Sequence, residues 1–163
     1  MSGDKYIISD QNAMYFLTFT VIDWFDVFTR KEYCFLIVDS MNYCIWKKGL
    51  DVFAWVIMSN HIHCIWQARE NYKLSDIIRD FKKFTAKQII EKIKEGPESR
   101  SVWLLNKFRF AGERSSRNKS YKFWKDDNHA IELGPTETLL IEQKIPHLAL
   151  VCNEGGSCSA FAM

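Results

Sequence analysis

No apolar run in the 163 residues approaches the roughly 18 that a membrane-spanning helix needs, so no helical membrane span is expected. The five cysteines, Cys34, Cys44, Cys64, Cys152 and Cys158, contain no CxxC pair and make an odd set. A secreted disulfide framework is therefore not expected, and they read as reduced thiols. The opening stretch, MSGDKYIISDQNAMYFLTFT, has no basic start, clean apolar block or small-residue cleavage site, so export is not expected and the cytoplasm is the expected location. Internal repeats and low-complexity linkers are missing too. With 47% hydrophobic and 26% charged residues, the composition sets aside disordered and fibrous classes. Even net charge is scarce, at +2.

What is present is unevenly placed. Between Arg79 and Lys125 there are fourteen Lys or Arg and five acids, a balance of +9, which leaves −7 for the rest of the chain. Aromatics interleave with this basic segment, among them Phe81, Phe84, Trp103, Phe108, Phe110, Tyr121, Phe123 and Trp124. Cations beside exposed rings suit a phosphate backbone and its bases. A solvated helix face followed by a charged loop has the same composition, so charge alone leaves both readings open.

Periodicity divides the chain. Ala13 to Val21 reads as a strand, Lys31 to Lys48 as a helix stopped by Gly49, and Leu50 to Met58 as a strand apolar enough to be central. A Ser59-Asn60 turn leads into a returning strand, His61 to Gln67. Leu74 to Lys94 reads as a helix with one apolar stripe, in which Phe84 is counted as core, and with Arg79, Lys82, Lys83 and Lys87 largely outside it. Gly96-Pro97 ends that helix. Glu98 to Lys119 reads as a short apolar patch and a polar loop, Tyr121 to Trp124 as a last strand, and Thr136 to Lys144 as a short helix. The order implies an α+β fold, a ferredoxin-like sandwich with helices packed on one face of an antiparallel sheet.

His61-Ile62-His63 is the chemical centre of the sequence. On a strand, residues two apart share a face, so both imidazoles project together and can ligate one divalent cation. Two ligands do not complete a metal site, and two partly exposed strand histidines bonded to neighbours fit the same pattern.

The run AWVIMSNHIHCIW, Ala54 to Trp66, resembles the histidine-hydrophobic-histidine (HUH) motif of single-tyrosine transposases, closest to the REP-associated branch of the insertion-sequence type. YFLTFTVIDW (Tyr15 to Trp24), SDIIRDFKKFTAKQI (Ser75 to Ile89) and FWKDDNHAIEL (Phe123 to Leu133) extend the likeness from about Gln11 to Lys144. The resemblance implies one domain over residues 1–163 and a metal site at His61 and His63 for Mg2+ or Mn2+. It also implies phosphate contacts from Arg79, Lys82, Lys83 and Lys87, a single-stranded or hairpin DNA partner, and a homodimer. The implied reaction cleaves and rejoins DNA through a 5′-phosphotyrosine.

The resemblance breaks at the nucleophile. The family carries a late tyrosine soon after a segment like Ile141-Glu142-Gln143-Lys144, whereas here IPHLALV follows, with Pro146 set against a helix and His147 near the expected position. No tyrosine follows Tyr121, which is left as a weak substitute. Residues 145–163 are thus atypical, consistent with a frameshift or other degeneration near Ile145. Two functions stay open: a DNA strand transferase, and a non-catalytic DNA-binding protein derived from one.

Overall fold

The computed structural model describes residues 7–115 and 120–144. Strand β1 (Tyr15–Thr20) leads through two short turns to helix α1 (Lys31–Lys47). Strands β2 (Leu50–Ile57) and β3 (His61–Ala68) form a hairpin, followed by the long helix α2 (Leu74–Glu95). Helix α3 (Ser101–Glu113), the two-residue strand β4 (Ile131–Glu132) and helix α4 (Pro135–Lys144) complete the order. The sheet runs β2-β3-β1-β4 with every pair antiparallel, the ferredoxin-like arrangement.

Alternation along β1 and β3 sorts side chains between two faces. Leu17, Phe19, Ile62, Cys64 and Trp66 point into the core beneath α1 and α2. There Phe19 meets Trp66 at 5.2 Å and Phe81 at 5.7 Å, and Trp66 meets Phe81 edge-on at 5.1 Å. Each such ring buries more apolar area than an aliphatic side chain does, which suits a domain this small. Cys34, Cys44 and Cys64 are buried, and burial pushes the Cys44 thiol up to about 11. Cys152 and Cys158 lie outside the described residues. No helix among the described residues is long and apolar enough to cross a membrane.

Four expectations need correction. β2 is an edge strand, not a central one. A bulge between Val52 and Ala54 breaks the alternation, and the successive residues Val52 and Phe53 are both buried, so an edge strand carries the apolar run of a central one. Phe84 is exposed rather than core, because the apolar stripe of α2 passes through Phe81 and Thr85 and leaves Phe84 beside it.

Residues 101–113 form α3 instead of patch and loop. Its fully buried positions are only Leu104, Phe108 and Gly112, while Val102, Trp103 and Phe110 stay exposed, which blurs the period. Gly112 lets the chain return close by: a Cβ there would stand 2.8 Å from the Ser120 carbonyl oxygen. Tyr121 to Trp124 makes only a bridge, Val21 to Trp124, and the last strand is β4. This stretch still runs beside β1, with the Ile22 amide donating to the Phe123 carbonyl at 2.9 Å and the Lys125 amide to Thr20 at 2.9 Å.

Candidate metal centre and nucleic-acid interface

The register of β3 on β1 sets Thr18 opposite His63 and Thr20 opposite His61, on the face turned away from α1 and α2. Both imidazoles are half-buried on that face, as the spacing of two predicts. Their Nε2 atoms lie 3.1 Å apart. His61 Nδ1 is 2.6 Å from Asn60 Oδ1, and His63 Nδ1 is 2.9 Å from Thr18 Oγ1. Phe16 stacks against His63 at 5.3 Å, and Trp24 meets the His61 ring edge-on at 5.8 Å.

Hydrogen bonds assign the His61 tautomer. The Asn60 amide nitrogen donates to the Trp24 carbonyl at 3.3 Å, which leaves Oδ1 as an acceptor facing His61. The proton of a neutral His61 therefore sits on Nδ1, and its Nε2 presents a lone pair. His63 is held by a hydroxyl, which rotates and can either donate or accept. Burial lowers the pKa of both histidines, and repulsion from His63 lowers that of His61 further. Both rings are accordingly neutral at pH 7.

This donor set fits a divalent cation. Two imidazole nitrogens bound to one ion at right angles stand about 3 Å apart, given metal–nitrogen bonds of about 2.1 Å. Each Nδ1 also has the outer partner that orients a metal-ligating imidazole. No group of three His, Cys, Asp or Glu suited to a metal exists among the described residues, so His61 and His63 stand as a pair.

The basic residues lie along a groove of about 830 Å³ between α2 and the segment from Ser120 to Asn128. Arg79, Lys82, Lys83, Lys87, Lys94 and Lys125 line it against Glu91 and Asp126. Lys83 and Lys87 are exposed, Lys87 3.9 Å from Glu91, and Arg79 bonds Asp76 at 2.7 Å and Asp80 at 3.1 Å. Such exposed pairs are weak and readily exchange for phosphate.

Lys82 differs. Its ammonium donates to the Lys125 carbonyl at 2.6 Å and to Asn128 Oδ1 at 2.7 Å, and burial pulls its pKa down to about 8. Asn128 in turn accepts the Thr18 amide at 2.8 Å, so Lys82 braces the loop that runs past β1. Trp124 adds a second brace, its indole donating to Thr85 Oγ1 at 3.1 Å.

Tyr121 lies in the groove, with Lys94 Nζ 4.6 Å from its ring centre. The side chains against the histidine pair are instead Phe16, Thr18, Trp24 and Asn60. His129 sits on the following loop with positive φ, its amide bonded to Asp127. His147 lies outside the described residues. Sequence reading missed Trp24, Asn60 and Thr18 as neighbours of the pair. Their only signals were the SNH turn and the strand ending in VIDW, and the pairing register that joins them is a tertiary fact.

Fold and site together describe a ferredoxin-like α+β domain with a histidine pair on the open face of its sheet and a cationic groove beside it. The family model of IS200-like transposases matches residues 11–113, and the chain belongs to that family. A REP-associated tyrosine transposase solved with a REP hairpin is similar in fold at 14% identity and a TM-score of 0.52, over 86% of this chain and 68% of that one. A crystal structure of a candidate transposase from Deinococcus radiodurans R1 is also similar, at 14% identity and a TM-score of 0.50, over 88% of this chain and 93% of the other. No protein of curated function matches the sequence.

Proposed function

We propose that this protein handles single-stranded or hairpin DNA as an IS200-type transposase does, cutting and rejoining it with Mg2+ or Mn2+ held by His61 and His63. The observation that carries this reading is the pair of Nε2 atoms 3.1 Å apart, each ring oriented through its Nδ1. When bound, the cation would supply charge stabilisation at the oxygens of the scissile phosphate. Asn60 and Thr18 fix the rings, and the lowered pKa values keep both nitrogens available without displacing protons at neutral pH. Arg79, Lys83 and Lys87 face the groove as phosphate contacts, and Lys82 supports its wall from within. In the family reaction a tyrosine hydroxyl oxygen attacks phosphorus, the 3′ oxygen leaves, and a 5′-phosphotyrosine keeps the ester for rejoining.

A second reading, a non-catalytic DNA-binding protein of the same descent, is favoured by the nucleophile. No tyrosine follows Tyr121, and Tyr121 lies in the groove rather than against the histidines. A homodimer belongs to either reading. Its support here is that α4 exposes Leu139 and Leu140, apolar surface that a second copy would cover.

Incubation with end-labelled hairpin DNA and Mn2+ separates the two. A covalent protein–DNA adduct that resists denaturation and disappears in a His61→Ala variant establishes the transferase. Salt-sensitive binding without adduct establishes the binding protein. Absence of binding at low salt refutes both.

A further inference from the structure

Trp24 is the most exposed ring beside the histidine pair, 55% accessible, although a tryptophan gains greatly from burial. The chain presents it at a conformational cost. Asp23 and Trp24 both adopt positive φ, 48° and 58°, successive left-handed residues with no glycine to ease them. The flanking residues turn the other way: Ile22 is buried, and Phe25 packs against Phe108 at 5.9 Å. Hydrogen bonds hold the kink, from the Trp24 amide to the Val21 carbonyl at 3.1 Å and from Asn60 to the Trp24 carbonyl at 3.3 Å.

Two further contacts give the ring a setting. His61 lies edge-on to it at 5.8 Å, and the Lys125 ammonium sits 4.3 Å from its centre. Lys125 is also a groove residue, so one side chain joins the cationic groove to the indole, and the indole joins that to His61.

From this arrangement we propose that Trp24 and Lys125 form a nucleotide subsite next to the histidine pair, in which the indole stacks one unpaired base and Lys125 faces a neighbouring phosphate. The inference rests on the DNA-handling reading above and adds the residue that holds a base next to the histidines. Stacking suits an unpaired base because every base offers a π-face, whereas a paired one keeps its faces inside the duplex. Asn60 fixes both His61 and the Trp24 carbonyl, so the platform keeps its place relative to the pair. A base held there restrains the adjoining phosphodiester, and such restraint lowers the entropic part of a barrier.

The test is equilibrium binding of a fluorescein-labelled single-stranded oligonucleotide in Mn2+, with one abasic position walked along it. The intact protein should show one position at which loss of the base weakens binding by roughly 5- to 100-fold, the range of one stacked base. Trp24→Ala should weaken binding to a similar degree and lose that position dependence, and Trp24→Phe should restore part of both. Lys125→Met should keep the position dependence and lower the salt slope by about 0.7. Mn2+ affinity and thermal stability should be unchanged in Trp24→Phe, which separates base contact from a purely structural role. Position dependence surviving in Trp24→Ala overturns the subsite and leaves the DNA reading intact. Failure of the intact protein to bind any of the strands also overturns the subsite, while the DNA reading stands or falls on the hairpin experiment above.

Discussion

The carboxamide oxygen of Asn60 lies 2.6 Å from Nδ1 of His61, and the same carboxamide bonds the Trp24 carbonyl through its nitrogen. One side chain therefore sets the tautomer of His61 and anchors the kinked turn beside it.

Removing that oxygen should disturb the metal site without removing a ligand. Asn60→Ala is expected to lower Mn2+ affinity roughly 10- to 100-fold, the range for an outer partner of a metal-bound histidine. His61→Ala and His63→Ala should each lower it further. Isothermal titration with Mn2+ measures this, and an unchanged affinity in either histidine variant would remove the pair as ligands.

The histidines should also make the fold sensitive to mild acid. Their pKa values in the folded state lie below the ordinary 6.5, so as pH falls through 6.5 the unfolded chain takes up protons first. Stability is full above pH 6.5 and declines across the window beneath it. Thermal melting in chelator from pH 7.5 to 5 should show this decline, and a His61→Gln/His63→Gln variant should show a shallower one. Equal slopes would contradict the assignment.

Lys82 predicts the opposite limb of the pH curve. Its folded pKa of about 8 lies under the ordinary 10.5, so between these values the unfolded state holds the extra proton and stability rises with pH. Lys82→Met should lose this alkaline gain. The comparison to make is denaturant midpoint at pH 7.5 and pH 9.5 for both proteins.

Salt dependence should sort the groove lysines. Lys83→Ala and Lys87→Ala each expose less charge to DNA, and each should reduce the slope of log affinity against log salt by about 0.7 to 0.9. Lys82→Ala, whose charge is spent on Lys125 and Asn128, should weaken binding with a smaller change of slope. Slopes unchanged from the intact protein in Lys83→Ala and Lys87→Ala would show that the groove does not carry the DNA.

The sequence made the order of elements along the chain and the histidine pair legible because both rest on short-range periods. Alternation along HIHCIWQ places His61 and His63 on one face, and the stripe from Leu74 to Ile93 marks α2. It misled where tertiary geometry overrides period, as at the bulge beside which Val52 and Phe53 are both buried. α3 was hidden for a related reason: with Gly112 as an inward residue, close backbone approach replaces side-chain bulk. The inward turn of Lys82 was illegible because its acceptors, Lys125 and Asn128, lie more than forty residues away.

Helix α4 exposes both of its leucines, while the core is filled by side chains from the elements before it and by Phe123, Trp124 and Ala130. The elements before α4 therefore carry the core, the histidine pair and the cationic groove together. Substitutions at Leu139 and Leu140 leave the buried rings untouched, so the outer face of α4 can vary while the body keeps its fold and its cationic groove.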